Sequence, residues 1–209
     1  LYTNLLADWT MSGGRHPARP TLTLPKDATS FLTYQGDAVR GYKQAAALLA
    51  IYPLQYPPAE AQGLTMLHRF GPKVTPNGPA MSDAIHAIVA ARAGDPEEGL
   101  RYWRKSWAEF FDPATRMFSE KRRSRREQFL TGEAGCLQAV LYGFAGLRIG
   151  EPRPGDRVLA KLKRGKVLSC RPNLPMEWQS LKISGLAILG RRYDLDVTKE
   201  TVRFTPQSR

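Results

Sequence analysis

Cysteine and histidine are scarce in this chain. Its 209 residues hold two cysteines, Cys136 and Cys170, and three histidines. None of them lies at the spacing of a metal-ligand set, so no metal is expected. Two cysteines allow a single pair and leave the redox compartment open. Cys136 stands in a Gly/Ala/Leu-rich helical pattern and reads as a small buried hydrophobe. Long apolar runs are missing too. The most apolar stretch, residues 45–51, is far shorter than the roughly 18 residues a membrane helix needs. No tract of low complexity is present. The opening residues carry neither the basic flank nor the cleavage site of a signal peptide. They begin with Leu1 and not with Met, which leads us to expect a chain that continues from something longer. Acidic residues are also few, 19 against 31 Lys and Arg, giving a net charge of +12. Such a surplus is one mark of nucleic-acid or lipid binding. The densest basic run, Lys121-Arg122-Arg123-Ser124-Arg125-Arg126, has no interleaved aromatics and no adjoining recognition motif. It reads as a solvated loop, and nucleic acid is not an expected partner.

The composition that is present, 42% hydrophobic and 24% charged, is that of a globular chain. The first 150 residues read as helices. Residues 2–12 place Leu5, Leu6 and Trp9 on one face and end at Gly13-Gly14. A Pro-rich loop follows over residues 16–25. Helices are expected over residues 40–51 and 58–70, the first stopped by Pro53. From Met81, apolar residues recur at Ile85, Ile88 and Val89 with helical spacing. Asp95-Pro96-Glu97-Glu98 then has the form of a helix start: an N-cap, a proline at the first position and acids in the first turn. Leu100, Trp103, Trp107, Phe110 and Phe111 are its expected buried stripe. A last helix is expected over residues 133–146, with Leu137, Val140, Leu141 and Phe144 on one side. The helix from Met81 is apolar over more than half its circumference. Such a helix is sandwiched between others, which fits inner and outer rings of helices better than a simple bundle.

After Gly146 the pattern changes to short apolar runs with period-2 alternation, as in Leu181-Lys182-Ile183-Ser184, residues 193–197 and residues 202–204. Gly190-Arg191-Arg192 is the expected turn between two strands. Helices followed by strands argue for separate layers and not for alternating α/β. A boundary is placed near residue 150, between a helical part and a β-rich C-terminal module.

Three stretches, taken together, resemble glycoside hydrolase family 65. The first is Tyr42-Lys43-Gln44-Ala45, continuing through Leu48, Leu49 and Ala50 to Tyr52-Pro53-Leu54. The second is Asn77-Gly78-Pro79-Ala80-Met81-Ser82, with Ala84-Ile85-His86 and the run from Ala90 to Pro96. The third is Phe129-Leu130-Thr131-Gly132, then Gly135 and the run from Leu137 to Arg148. Tyr2-Thr3-Asn4 and the tail from Pro172, with Pro175-Met176-Glu177-Trp178, are similar to further segments of that family. It comprises trehalose, kojibiose and collagen-glucoside hydrolases and several disaccharide phosphorylases. The resemblance implies that residues 1–149 are the later helices of an (α/α)6 barrel and residues 150–209 a small β domain.

It also implies the chemistry. Inverting cleavage needs a general acid on the leaving oxygen and a base to activate water, roughly 6.5–9.5 Å apart. The resemblance puts the acid upstream, roughly ten residues before Tyr2 by motif position. It puts the base at Glu120, in Met117-Phe118-Ser119-Glu120. Read from the residues alone, Glu120 is a surface acid paired with Lys121 or Arg122. Glu133 is the alternative base; it stands where the family has a small residue. Lys43 and Gln44 match a pair that binds glucose hydroxyls, and their donors and acceptor suit a diol. The other reading of that pair is two polar residues facing solvent at a helix start. Tyr42 and Trp9 could stack on a sugar, although aromatics at helical spacing are more often core. His86, within an apolar helix, reads as a satisfied core histidine.

Thr131-Gly132-Glu133-Ala134-Gly135 lacks the histidine that the phosphorylases use on phosphate, and Glu133 would repel that anion. Hydrolysis of a trehalose- or kojibiose-like α-glucoside is therefore the expected activity. Phosphorolysis of such a disaccharide, or a truncated inactive remnant that binds carbohydrate or a partner protein, are the alternatives. No cofactor is implied. The implied partners are the α-glucoside and an upstream segment or chain of the same enzyme; a homodimer is compatible with both.

Overall fold

The computed structural model describes residues 1–15, 20–44, 46–124 and 127–207. Among them are six α-helices and three small antiparallel sheets. Part of the expected Pro-rich loop (residues 16–19), Ala45 of the first motif, and Arg125 and Arg126 of the basic run lie outside the described residues.

The chain opens on α1 (Tyr2–Met11), followed after a long irregular segment by the short α2 (Pro57–Glu60). The centre is α4 (Met81–Arg92), in which nine of 12 residues are buried. Around it pack α3 (Gly63–Phe70), α5 (Pro96–Ala108) and α6 (Leu130–Gln138). A helix lacking a solvent face is what the apolar spread from Met81 requires. The start of α5 follows its residues: the Asp95 side chain accepts from the Glu98 amide at 2.8 Å, and Pro96 occupies the first turn.

Several expected elements differ. The helix expected over residues 40–51 is reduced to a 3-10 turn, Ala46–Ala50. Upstream of it the backbone is extended, because Tyr42 bridges Val74: its amide donates to the Lys73 carbonyl, and its own carbonyl accepts from Thr75. Tertiary pairing here overrides the Ala-rich propensity. Residues 58–70 form not one helix but α2 and α3, broken at Ala61 and Gln62. The last helix begins at Leu130, three residues before the expected start, and finishes in a π turn, Ala139–Phe144. The stripe on α5 is narrower than expected. Trp107 is 37% and Phe111 40% exposed. Since α5 stops at Ala108, Phe111 belongs to β1 (Phe111–Asp112), which pairs with β2 (Met117–Phe118). Leu137 is exposed as well, and Cys136 is half-buried, its thiol 3.2 Å from Ser106 Oγ.

The C-terminal strands begin at Leu147. β3 (Leu147–Gly150), β4 (Arg157–Lys161) and β5 (Val167–Cys170) form one sheet with β5 in the middle. β6 (Ser180–Ile188), β7 (Arg191–Thr198) and β8 (Val202–Pro206) form an antiparallel meander. The turn between β6 and β7 is Leu189-Gly190, both at positive φ, and Arg191-Arg192 already belong to the strand. The alternating residues do what period 2 demands: Leu195 and Val197 are fully buried. They share a cluster with Ala91, Leu100 and Phe144, so the β part is packed directly on α4 and α5. Trp178 seals this contact, its ring 4.8 Å from Phe144 and 5.5 Å from Trp103. At the crossing point only glycine fits: Gly146 has φ +64°, and a Cβ there would lie 2.0 Å from the Arg171 carbonyl oxygen.

Candidate functional site

α6 turns Thr131, Ala134, Gly135 and Gln138 to one side, the i, i+3, i+4, i+7 stripe of a helix. α4 answers with Met81, Ser82, Ile85 and His86. Gln44, Ala46 and Leu49 close the third side, and a hollow of about 210 Å³ remains between them. Glycines let the two helices approach. A Cβ on Gly135 would sit 3.2 Å from Ala84 Cβ, and one on Gly132 would sit 2.5 Å from the Phe118 ring and 2.9 Å from Ala80 Cβ. The wall is mostly apolar, with a few convergent polar groups, the usual make-up of a small-molecule site. Each of the three motifs contributes to it: Gln44 from the first, Ser82 and His86 from the second, Thr131 and Gln138 from the third.

The polar groups are held from behind. The Tyr52 hydroxyl donates to Gln138 Oε1 at 3.1 Å, joining the first motif to the third. Ser82 Oγ is buried without a hydrogen-bond partner among the described residues. A buried hydroxyl in that state is costly unless something polar enters the hollow. His86 is 1% exposed, with Nδ1 3.7 Å from Asp83 Oδ1 and its ring edge-on to Tyr102. It is therefore a core residue that also walls the hollow, and at that distance Nδ1 is not satisfied in the way expected of it.

Asp83, 1% exposed, anchors this side. Arg122 Nη2 lies 2.7 Å from its Oδ2 and Lys105 Nζ 3.4 Å from its Oδ1. Burial opposes ionisation of Asp83. The contacts with His86 and Arg122 and the charge of Lys105 outweigh it, and the carboxyl is held below its usual range. Arg122 also pairs with Glu109 and lies over the Phe110 ring at 4.7 Å. One member of the run expected to be a solvated loop is thus a structural anchor.

Of the four residues predicted for the site, Gln44 lines the hollow. Lys43 is exposed beside it, in an irregular segment and not at a helix start, and is not part of the wall. Glu120 follows β2 and is half-buried. Its carbonyl accepts from the Ala80 amide at 3.2 Å, and its amide donates to Glu127 Oε1 at 3.2 Å. This ties it to the residue preceding Met81, while its side chain stays outside the wall. Arg122, offered above as a partner for Glu120, is engaged by Asp83 and Glu109. Glu133 lies in the first turn of α6 and accepts from Gln128 Nε2; it too is outside the wall, next to Ala134. Tyr42 is committed elsewhere: its hydroxyl donates to Asp37, and burial together with that bond pushes its pKa up to about 12. Ser82, His86 and Gln138 were not foreseen as site residues. The signal available was their polarity on otherwise apolar helix faces. Among the described residues no group of three or more His, Cys, Asp or Glu is placed to hold a metal, and no helix is long and apolar enough to cross a membrane.

No protein-family model matches the chain. It is similar to a kojibiose hydrolase from Mucilaginibacter mallensis, 28% identical over 169 residues, covering 80% of the chain and 23% of that protein. It is similar to a protein-glucosylgalactosylhydroxylysine glucosidase from Danio rerio, 27% identical over 163 residues, covering 78% and 23%. It is also similar to an alpha,alpha-trehalose phosphorylase from Geobacillus stearothermophilus, 27% identical over 161 residues, covering 76% and 18%. The chain spans less than a quarter of the length of these curated relatives. Its fold matches a solved structure provisionally named as a kojibiose phosphorylase from human microbiome, with a TM-score of 0.53 at 17% identity, over 79% of this chain and 19% of that one. The chain resembles the C-terminal part of glycoside hydrolase family 65.

Proposed function

We propose that the chain is the C-terminal part of an enzyme that hydrolyses an α-glucoside of the trehalose or kojibiose kind with inversion. The observation that carries this reading is the meeting of all three motifs at one hollow, where Ser82 Oγ is buried without a partner. In this reading the helices belong to an (α/α)6 barrel, and the chain divides near residue 150 into that partial barrel and a β domain. The hollow takes the glucose unit, with Gln44 and Lys43 on its hydroxyls and Ser82 supplying a further bond. Glu120 activates the attacking water, with Glu133 as the alternative base. The general acid comes from a segment upstream of Leu1.

The two carboxylates are separated by replacing each in the enzyme that includes the upstream segment. Glu120→Gln is expected to cut hydrolysis by about 10²–10⁴-fold, with azide restoring turnover of a glycosyl substrate. Unchanged hydrolysis in Glu120→Gln, with the loss appearing in Glu133→Gln, would transfer the role to Glu133.

A second reading is favoured by the trehalose phosphorylase among the relatives. Cleavage that requires inorganic phosphate would select it. A carboxylate at Glu133, in the α6 first turn two residues from Thr131, opposes an anion there. Absence of both activities in the longer enzyme would leave the remnant that binds carbohydrate or protein.

A further inference from the structure

A second hollow, of about 240 Å³, lies where α2 and α4 meet the β3–β5 sheet. Its wall includes Arg92, Arg148, Arg153 and Arg171, against only Glu60 and Asp156. The two carboxylates are already engaged. Glu60 accepts from Arg148 Nη1 at 2.7 Å and from Arg153 Nε at 3.2 Å; Asp156 accepts from the Arg153 amide at 2.9 Å and from Ser169 Oγ at 3.1 Å. Four guanidiniums against two carboxylates leave a surplus of two positive charges around one cavity.

Arg92 is the most deeply buried of them. Its side chain is 8% exposed. Nε donates to the Tyr142 carbonyl at 2.8 Å and Nη2 to the Leu147 carbonyl at 3.1 Å, which fixes the plane of the guanidinium. Nη1 is buried with no hydrogen-bond partner, the nearest carboxylate oxygen of Glu60 standing 3.8 Å away. A buried charged donor left open is expensive, and a charge-assisted bond to an oxyanion would fill it. Burial, and then the charge of Arg148, lowers the Arg92 pKa to about 10. An anion placed here would reverse that shift.

We propose that this second hollow binds a phosphoryl dianion, free or carried on a small sugar, at a site separate from the one formed by Gln44, Ser82 and Thr131. The charge surplus matches a dianion, and the cavity is below the roughly 300 Å³ of sites for drug-sized ligands. The proposal does not rest on the α-glucoside reading.

Isothermal titration of the protein with inorganic phosphate at low ionic strength tests it, with sulfate as competitor. One saturable site is expected, displaced by sulfate. Arg171 is at the rim, exposed, with one long bond to the Pro154 carbonyl, so Arg171→Ala should fold normally. It should weaken phosphate by about tenfold, as loss of a charge-assisted contact does. Arg92→Lys, which keeps the charge but loses the Nη1 donor and the two carbonyl bonds that hold it in place, should weaken it further. Glucose 6-phosphate binding more tightly than phosphate identifies the sugar-borne group; weaker binding identifies the free ion. No saturable binding up to about 10 mM phosphate, or equal affinity in Arg171→Ala and the parent, overturns the proposal.

Discussion

Arg122 Nη2 lies 2.7 Å from Asp83 Oδ2, so a side chain from the most basic run of the chain is fastened to the most buried helix. The pair joins the loop that carries Glu120 to the helix that carries Ser82 and His86. Removing Arg122 leaves a carboxylate that is 2% exposed on its side chain with only Lys105 and His86 nearby. Arg122→Met is expected to cost about 3 kcal/mol by urea denaturation. The double variant with Asp83→Asn should recover part of that loss, because it also removes the stranded charge.

The same pair sets an acid limit. The Asp83 carboxyl is held below its ordinary value of 3.8. Its contribution is therefore complete above that pH and is lost as pH falls through the lower folded value. Urea midpoints measured between neutral pH and pH 3 should fall at the acid end, and Asp83→Asn should flatten that limb while lowering the neutral plateau.

The close approach of α6 to its neighbours depends on Gly132. With a Cβ meeting Phe118 at 2.5 Å and Ala80 at 2.9 Å, Gly132→Ala must push the helix start outward. A loss of about 2 kcal/mol is expected in thermal or chemical unfolding, typical of overpacking. In the proposed longer enzyme the same change should lower kcat/KM, since Thr131 and Gly135 move with the helix.

Replacements at the wall separate binding from folding. Gln44 is exposed and irregular in backbone, so Gln44→Ala should leave unfolding unchanged. It should cut kcat/KM for the disaccharide by about tenfold or more, the worth of one or two hydrogen bonds to a hydroxyl. Ser82→Ala should do the opposite for stability: removing an unpartnered buried hydroxyl leaves the protein at least as stable, while activity falls.

Much of this arrangement was legible in the residues. The central helix follows from Met81, Ile85, Ile88 and Val89, and the start of α5 from Asp95-Pro96. Leu195 and Val197 announce their buried face by alternation. Other features lay beyond local pattern. Residues 40–44 are not helical because Tyr42 pairs with the distant Val74, which no periodicity near Tyr42 encodes. The π turn at the end of α6 belongs to a close crossing, where a Cβ on Gly143 would come within 3.3 Å of Ile88 Cα. Trp107 and Leu137 stay exposed although their spacing is that of a core stripe, since spacing states which face a residue shares and not what covers it. At the site, Gln44 was legible as a binding residue through its motif. Ser82, His86, Thr131 and Gln138 stand in the motifs too, but each acquires its place in the wall only when α4 and α6 are brought together.

The claim on which the rest depends is that the hollow between Gln44, α4 and α6 receives the glucose unit. A crystal structure of the proposed enzyme, including the upstream segment that the proposal requires, soaked with glucose, measures this directly. The account predicts the sugar ring against Gln44, with a hydroxyl within hydrogen-bond distance of Ser82 Oγ. Glucose bound elsewhere, with that hollow still filled only by water, would contradict it.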